Sequence, residues 1–406
     1  MSKIARITQI AQKAEALREK LIGLRRQFHA HPELSGEEAW TANVIAERLR
    51  ALGLTVQTEA GGHGVVGLLH GQHTGATVAY RADMDALPIQ DTLDTPYRSL
   101  ILGAKHACGH DAHMAIALGV AEILSAMRSD LAGTVKFIFQ PAEESLEGAQ
   151  AMIEAGALDT PKPEAIFALH AFPLPVGQVG VSRDGALAGM EEFHMRLYSP
   201  GGDLETLVAR TMRALHTLNT VTAPTDLATF NAVIQSMQNS DAHNQTVFLS
   251  CWPGSPGTTP RYHILGLVSF PQLALREGMR SQIRHTLDTV AGEAGAAYDL
   301  AFTFYNPPAV NNRALVQAVM PTLKTVMGAQ NVLTFKTPYP FAHEDFAYYQ
   351  HHTPGIFLWL GVSNPAKGIT GILHQPDFDI DENALIIGTR LMATVLCHHI
   401  AVKLTS

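Results

Sequence analysis

Residues 134–144 have the sequence TVKFIFQPAEE, an apolar run that ends at two adjacent carboxylates. The length of the run and its aromatic content predict a buried strand. Similar runs and helix-like segments surround it, the runs at 64–70, 76–80 and 165–170 and the segments at 112–127 and 147–156. This alternation of apolar strands with helices predicts an α/β domain with a largely parallel sheet.

Outside this core the pattern changes twice. An apolar stripe from Ile7 to Phe28 predicts one amphipathic helix near the N-terminus. Residues 189–303 predict a strand–helix–strand–strand–helix–strand order, which is typical of a small two-layer α+β domain. Helices and apolar strands return after that segment. We therefore predict a discontinuous domain formed by 1–188 and 304–406, with 189–303 inserted into it.

The composition argues against several classes of function. With 406 residues the chain is long enough for two cores, and its net charge of −8 argues against nucleic-acid binding. The chain has only three Cys, and such a small and odd number argues against a disulfide framework. No apolar run approaches the ~20 residues that span a bilayer, and the charged N-terminus does not resemble a signal peptide. These features predict a cytoplasmic protein without a membrane partner.

The 20 histidines are the anomaly, and they cluster. Residues 106–113, HACGHDAH, hold three His, one Cys and one Asp at the start of a predicted helix, for which Asp111 is the candidate N-cap. The side chains of Cys108 and His110 can reach one ion, and a thiolate with an imidazole suits zinc or a similar cation. The alternative is that these His fill the core or cap the helix, and that the Cys is inert.

Further polar residues follow the other predicted strands. Adjacent carboxylates such as Glu143 and Glu144 repel each other unless their roles differ, for example one metal ligand and one general base. The alternative is a helix start that favours acids. Asp83 and Asp85 face the same side of an extended segment, or else lie in a solvated loop. His170 ends the predicted strand 165–170 and His374 follows another apolar strand, although a lone His is often structural.

Ligands bind beyond the carboxyl ends of strands in α/β sheets, so these segments are expected to meet. Together they supply enough Cys, His and Glu for two metal ions. Such a pair can activate water and polarise a carbonyl, while a free Glu moves the proton to a leaving amine. The residues therefore predict metal-assisted hydrolysis of an amide-like bond.

Seven ordered motifs resemble the metal-dependent amidohydrolases related to aminoacylase and carboxypeptidase, in particular the hippurate hydrolase and auxin-amino-acid hydrolase branch. The motifs are RRQFHAHPELSGEE, YRADMDALP, HACGHDAHMA, FIFQPAEESLEGA, ALHAFP, HEDFAYY and GILHQPDFDIDENAL. The resemblance implies a zinc-peptidase-like catalytic domain with an inserted lid that often dimerises. It also implies a small-molecule amide substrate and two divalent ions per subunit, Zn²⁺ or Mn²⁺, with Co²⁺ or Ni²⁺ also suited to the ligands.

The resemblance also implies roles for single residues. Glu143 would be the general base and Asp85 would hold a ligand His in its tautomer, with Asp83 a weaker candidate. Glu344 and Asp345 would lie near the site, and His113 is interpreted as structural. The implied metal ligands are Cys108, His110, Glu144, His170 and His374.

The departures from the family pattern lie in the lid. Relatives carry a His after two glycines, whereas here the stretch from Tyr198 to Asp203 has none. Ser269 stands where relatives have an Arg for the substrate carboxylate, and an Asn is also missing. Arg261 and His263 are the nearest alternatives for that carboxylate. Beside an active enzyme we therefore keep two alternatives: a metal-binding relative with impaired catalysis, and an amidohydrolase with a shifted substrate.

Overall fold

The computed structural model describes residues 2–199, 203–256 and 261–402. Its helices are α1 (Lys3–Ala16), α2 (Arg18–Ala30), α3 (Ala39–Ala51), α4 (His110–Ser125), α5 (Gly148–Glu154), α6 (Leu204–His216), α7 (Leu227–Asn239), α8 (Arg276–Ala294), α9 (Arg313–Met327), α10 (Phe346–His352) and α11 (Asn383–Val402). Its strands are β1 (Thr55–Gln57), β2 (Val65–His70), β3 (His73–Asp83), β4 (Ala132–Gln140), β5 (Ala165–Pro175), β6 (Val179–Ser182), β7 (Gly185–Leu187), β8 (Gly189–Tyr198), β9 (Phe248–Pro256), β10 (Arg261–Phe270), β11 (Ala297–Asn306), β12 (Ala309–Val310), β13 (Val332–Phe335) and β14 (Gly355–Ser363).

An eight-stranded sheet forms the centre of the larger part of the molecule. Its order is β1-β2-β4-β3-β5-β14-β6-β13. The four central strands β4, β3, β5 and β14 run parallel to their neighbours within this group. Strand β2 pairs antiparallel with β4, and β6 pairs antiparallel with β14. This mixed, mostly parallel sheet confirms the predicted α/β class.

Helices cover both faces of this sheet, as buried parallel strands require. One core packs α1 to α4, α9 and α11 against the sheet. The other core packs α5, α7 and α10 against the opposite face. The apolar strand residues that the sequence identified, such as Val135, Phe137 and Phe139, are fully buried between these layers.

A second, antiparallel sheet of order β11-β8-β10-β9 forms the lid, with α6 and α8 packed on one face. Helix α7 is absent from the predicted strand and helix order of this segment. Asp226 caps it, with Thr229 completing a capping box, and Phe230, Ile234 and Met237 are its buried residues. Those three side chains join the core of the large sheet rather than the lid core.

Two further local predictions were wrong. The N-terminal stripe belongs to two helices separated at Leu17, not to one. The sequence did not reveal the break because both halves pack on the same core and a single-residue break leaves the apolar spacing unchanged. Asp111 does not cap α4, since Gly109 is the N-cap residue. The Asp111 carboxylate instead accepts hydrogen bonds from Arg25 Nε at 2.8 Å and from His29 Nδ1 at 2.7 Å. None of the described helices has the length and apolar character needed to cross a bilayer.

Candidate metal centre

The parallel strands place the polar segments at one edge of the sheet. Asp83 ends β3 and pairs with Gln140 at the end of β4, just before Glu143 and Glu144. His170 does not end its strand as predicted, because β5 continues to Pro175. It still lies at this edge, since the pairing of Arg81 with Ala168 sets Asp83 level with it.

The five predicted ligands converge there. Cys108 Sγ lies 3.2 Å from His374 Nε2 and 3.5 Å from His170 Nε2. Glu144 Oε1 lies 3.8 Å from His110 Nε2, and Glu144 Oε2 lies 3.6 Å from His374 Nε2. Ligands bound about 2.0–2.3 Å from a tetrahedral ion lie roughly 3.3–3.8 Å apart, so these spacings suit metal binding.

Hydrogen bonds to the backbone fix two of the imidazoles in the ligand tautomer. His110 Nδ1 donates to the carbonyl of Asp85 at 2.9 Å, and His170 Nδ1 donates to the carbonyl of Ala171 at 2.6 Å. A carbonyl only accepts, so each Nδ1 carries a proton and Nε2 is the ring nitrogen left to face a metal ion. His110 Nε2 and Glu144 Oε1 are buried without a hydrogen-bond partner among the described residues. Two unpartnered buried acceptors fit a cation, since leaving both unpaired is costly.

Asp85 braces this arrangement. Its Oδ2 accepts hydrogen bonds from the Glu144 backbone N–H at 2.9 Å and from Ser35 Oγ at 2.7 Å. Its Oδ1 lies 3.3 Å from His110 Nδ1. Asp85 thus ties the loop that carries Glu144 to the imidazole of His110, in line with the positioning role expected from the sequence.

His113 lies beside the cluster but has no nitrogen left for a metal. Its Nε2 accepts from the backbone N–H of Ala171 at 2.7 Å, so its Nδ1 must carry the proton that bonds Asp83 Oδ1 at 2.5 Å. Both ring nitrogens are therefore occupied. This geometry agrees with the interpretation of His113 as structural.

Arg81 organises the carboxylates behind the site, and the sequence analysis did not single it out. Its guanidinium bonds Asp83 Oδ2 at 2.5 Å, Glu344 Oε1 at 2.8 Å and Asp345 Oδ1 at 3.1 Å. Glu344 and Asp345 also approach Glu143, so the single positive charge of Arg81 is shared among several buried carboxylates. An arginine inside the apolar run of β3 was the available signal, since buried arginines are rarely unpaired.

The pKa shifts show a surplus of negative charge. Burial, with the carboxylates of Glu344 and Glu144, raises the pKa of Glu143 well above its ordinary value. Burial, with the carboxylates of Glu144 and Glu143, raises the pKa of the Cys108 thiol. Burial alone would lower the pKa of His110, but Asp83, Asp85 and Glu144 outweigh it and raise the value to about 10. A bound cation would reverse each shift, because it favours the deprotonated form of every group.

Gly109 allows Cys108 and His110 to approach β5. Its φ is +88°, and a Cβ there would lie 2.7 Å from the Cβ of Ala171. We expect Gly109→Ala to lower metal affinity about 10- to 100-fold, because the segment must shift away from His170. The matched control is Gly103→Ala, where φ is +75° but the space is open. If both variants bound metal like the parent in a titration, the close approach at Gly109 would be unimportant.

The cluster opens into a cavity of about 650 Å³ between the large sheet and the lid. His343, which the sequence analysis passed over within the HEDF motif, joins the two parts, since its Nε2 lies 2.6 Å from Ser269 Oγ of β10. His263 lies on the same strand but outside the cavity lining. Asp203 stands where relatives carry the lid histidine, and its side chain caps α6 by accepting a hydrogen bond from the backbone N–H of Thr206. The two glycines before it lie outside the described residues.

Comparisons with known proteins agree with this geometry. Residues 79–398 match the model of peptidase family M20/M25/M40. An N-acetylcysteine deacetylase of Bacillus subtilis (strain 168) is 31% identical over 393 residues, which cover 93% of this chain and 96% of the relative. The IAA-amino acid hydrolase ILR1-like 5 of Arabidopsis thaliana is 32% identical over 390 residues, covering 94% and 86%. The crystal structure of Bacillus subtilis YXEP protein, described as a dinuclear metal binding peptidase of family M20, has a TM-score of 0.75 at 29% identity and covers 95% of this chain and 99% of that one.

Proposed function

Because this chain is a metal-dependent amidohydrolase of peptidase family M20/M25/M40, we propose that it hydrolyses the amide bond of N-acyl amino acids or related conjugates, hippurate-like or short peptide-like. One observation carries the proposal. The metal-binding atoms His110 Nε2 and Glu144 Oε1 are buried without a hydrogen-bond partner in the described part of the chain and lie close to Cys108 and Glu143. Cys108, Glu143 and Glu144 line a cavity large enough for a small amide. The names of the two relatives refer to substrates of this kind.

We assign the metal ligands and the base as follows. Cys108, His110, Glu144, His170 and His374 hold two divalent ions, Zn²⁺ or Mn²⁺, with Co²⁺ or Ni²⁺ also compatible with the donors. Asp85 positions His110 and the Glu144 loop. When bound, the ions supply Lewis acidity that polarises the carbonyl and acidifies water.

Glu143 moves the proton in this proposal. Its carboxylate accepts a proton from the attacking water, and the same oxygen later gives that proton to the leaving nitrogen. The carbonyl carbon gains the water oxygen and the C–N bond breaks, which yields a carboxylic acid and an amine.

Three further proposals concern the whole molecule. We propose that 1–188 and 304–406 form the catalytic domain, with 189–303 as the lid through which two copies pair. Trp252, 43% exposed on the edge strand β9, supports pairing through the lid.

We also propose a cytoplasmic location. The three cysteines are all free and buried, which supports a reducing compartment.

The decisive experiment is a metal-supplemented assay on a panel of N-acyl amino acids, short peptides and amides without a carboxylate. We expect hydrolysis of at least one class, loss of activity after chelation, and recovery when the ion is returned. Full metal loading with no turnover across the panel would contradict the proposal. That result would favour the metal-binding relative with impaired catalysis.

A further inference from the structure

The lid wall of the cavity carries a carboxylate that the reaction does not use. Glu192 lies on β8 between Leu267 of β10 and Phe304 of β11, and all three line the cavity. Side chains alternate along a strand, so the preceding Glu191 points to the other face of the lid. There it is bound by Arg276 and Arg280, at 2.5 Å each.

Glu192 has no such compensation. It is half-buried, and no described residue forms an ion pair or hydrogen bond with its carboxylate. Among the side chains that the structure describes, which do not include that of Arg261, no Lys or Arg lines this cavity. Of the other lining carboxylates, Glu344 is paired with Arg81, Glu144 belongs to the metal cluster with Glu143 beside it, and Glu147 is exposed. The lid side of the cavity therefore keeps uncompensated negative charge.

The polar groups at the position where relatives carry an Arg for the substrate carboxylate are neutral here. Ser269 occupies the position on β10 where the resemblance led us to expect an Arg, and its hydroxyl is engaged by His343. Burial, with a contribution from His374, lowers the pKa of His343 to about 4, so this imidazole carries no charge at neutral pH. The pair can hydrogen-bond a neutral group, but it offers no positive charge to a carboxylate.

We propose that Glu192 determines specificity, and that the cavity takes amides whose lid-facing half is cationic or neutral and lacks a free carboxylate. This inference rests on the proposed amide hydrolysis and names its substrate class. A carboxylate placed against Glu192 would meet like charge in a partly desolvated site, which costs affinity, whereas an ammonium group would be attracted.

Two matched substrate series test the proposal. The first joins benzoate to glycine, glycinamide or ethylenediamine, so the charge varies only on the amine half. The second consists of anilides of succinic, butyric and γ-aminobutyric acid, so it varies only on the acyl half. We expect kcat/KM to favour the cation over the carboxylate by about tenfold or more in the series whose variable half faces the lid.

Glu192→Gln should bring the ratio of kcat/KM for the cationic and carboxylate members of that series close to one. Glu205→Gln is the matched control, since Glu205 is exposed on α6 of the lid and outside the cavity. Added salt should narrow the parent preference.

The outcomes separate the two proposals. Loss of the cation preference in Glu192→Gln alone supports the inference and identifies the half that faces the lid. A preference for carboxylates in both series, unchanged in Glu192→Gln, overturns the inference but leaves amide hydrolysis standing. No turnover of any compound by metal-loaded protein overturns amide hydrolysis, and the inference with it.

Discussion

Glu143→Gln is expected to lower kcat by about 10²–10⁴-fold, the usual contribution of a general base, while the protein keeps its metal. Gln has the same shape but cannot accept the proton of water at neutral pH. Glu143 lies close to the ligand cluster, with its Oε2 3.8 Å from His110 Nε2, yet it is 4% exposed and lines the cavity. It can therefore reach both the metal site and a bound amide.

The measurement combines kcat with metal content by elemental analysis. Glu154→Gln is the matched control, because Glu154 is exposed on α5 in the same segment and outside the cavity. Parent-rate hydrolysis by Glu143→Gln would show that another group moves the proton. Loss of metal together with activity would instead place Glu143 among the ligands.

Cys108→Ser is expected to lower metal affinity by roughly 10²-fold or more and to reduce activity with it. A hydroxyl stays protonated where a thiol is ionised by the metal, so the variant loses an anionic donor. Cys108 Sγ is within 3.5 Å of the Nε2 atoms of both His170 and His374, so its loss affects one ligand on β5 and one in the segment after β14. Cys251→Ser is the control, since Cys251 is a buried cysteine of the lid.

The number of protons released on metal binding distinguishes the parent from Cys108→Ser. Protons compete with metal for any ligand whose pKa lies above the working pH, so affinity rises with pH. The pKa of His110 is about 10 and that of Cys108 is raised by burial, so both must release a proton on binding near neutral pH. We expect Cys108→Ser to release about one proton fewer than the parent on metal binding, measured by calorimetry in buffers of different ionisation enthalpy. Equal proton release from both would mean that Cys108 is not a ligand.

The local patterns of the sequence were enough for the class of fold and for the segments that carry the chemistry. Apolar runs such as 134–140 mark strands because a strand buried on both faces has no polar side chain to expose. Polar residues directly after such runs, like Glu143 and Glu144, fall at the sheet edge because the chain direction in parallel strands fixes which end they occupy. Cys108 and His110 could be grouped because they are two residues apart.

The tertiary structure decided what depends on contacts between distant segments. His110 and His113 lie in the same His-rich segment, and the sequence gives no reason to choose between them as ligands. Only the hydrogen bonds from Ala171 and to Asp83 show that His113 has no free nitrogen. Arg81 reaches Glu344 across 263 positions of the chain, and Ser269 reaches His343 across 74. No local periodicity encodes such pairs, because they follow from strand order and lid placement. The sequence alone showed that Ser269 stands in place of the expected lid Arg, whereas the position of Glu192 in the cavity wall became visible only in the folded chain.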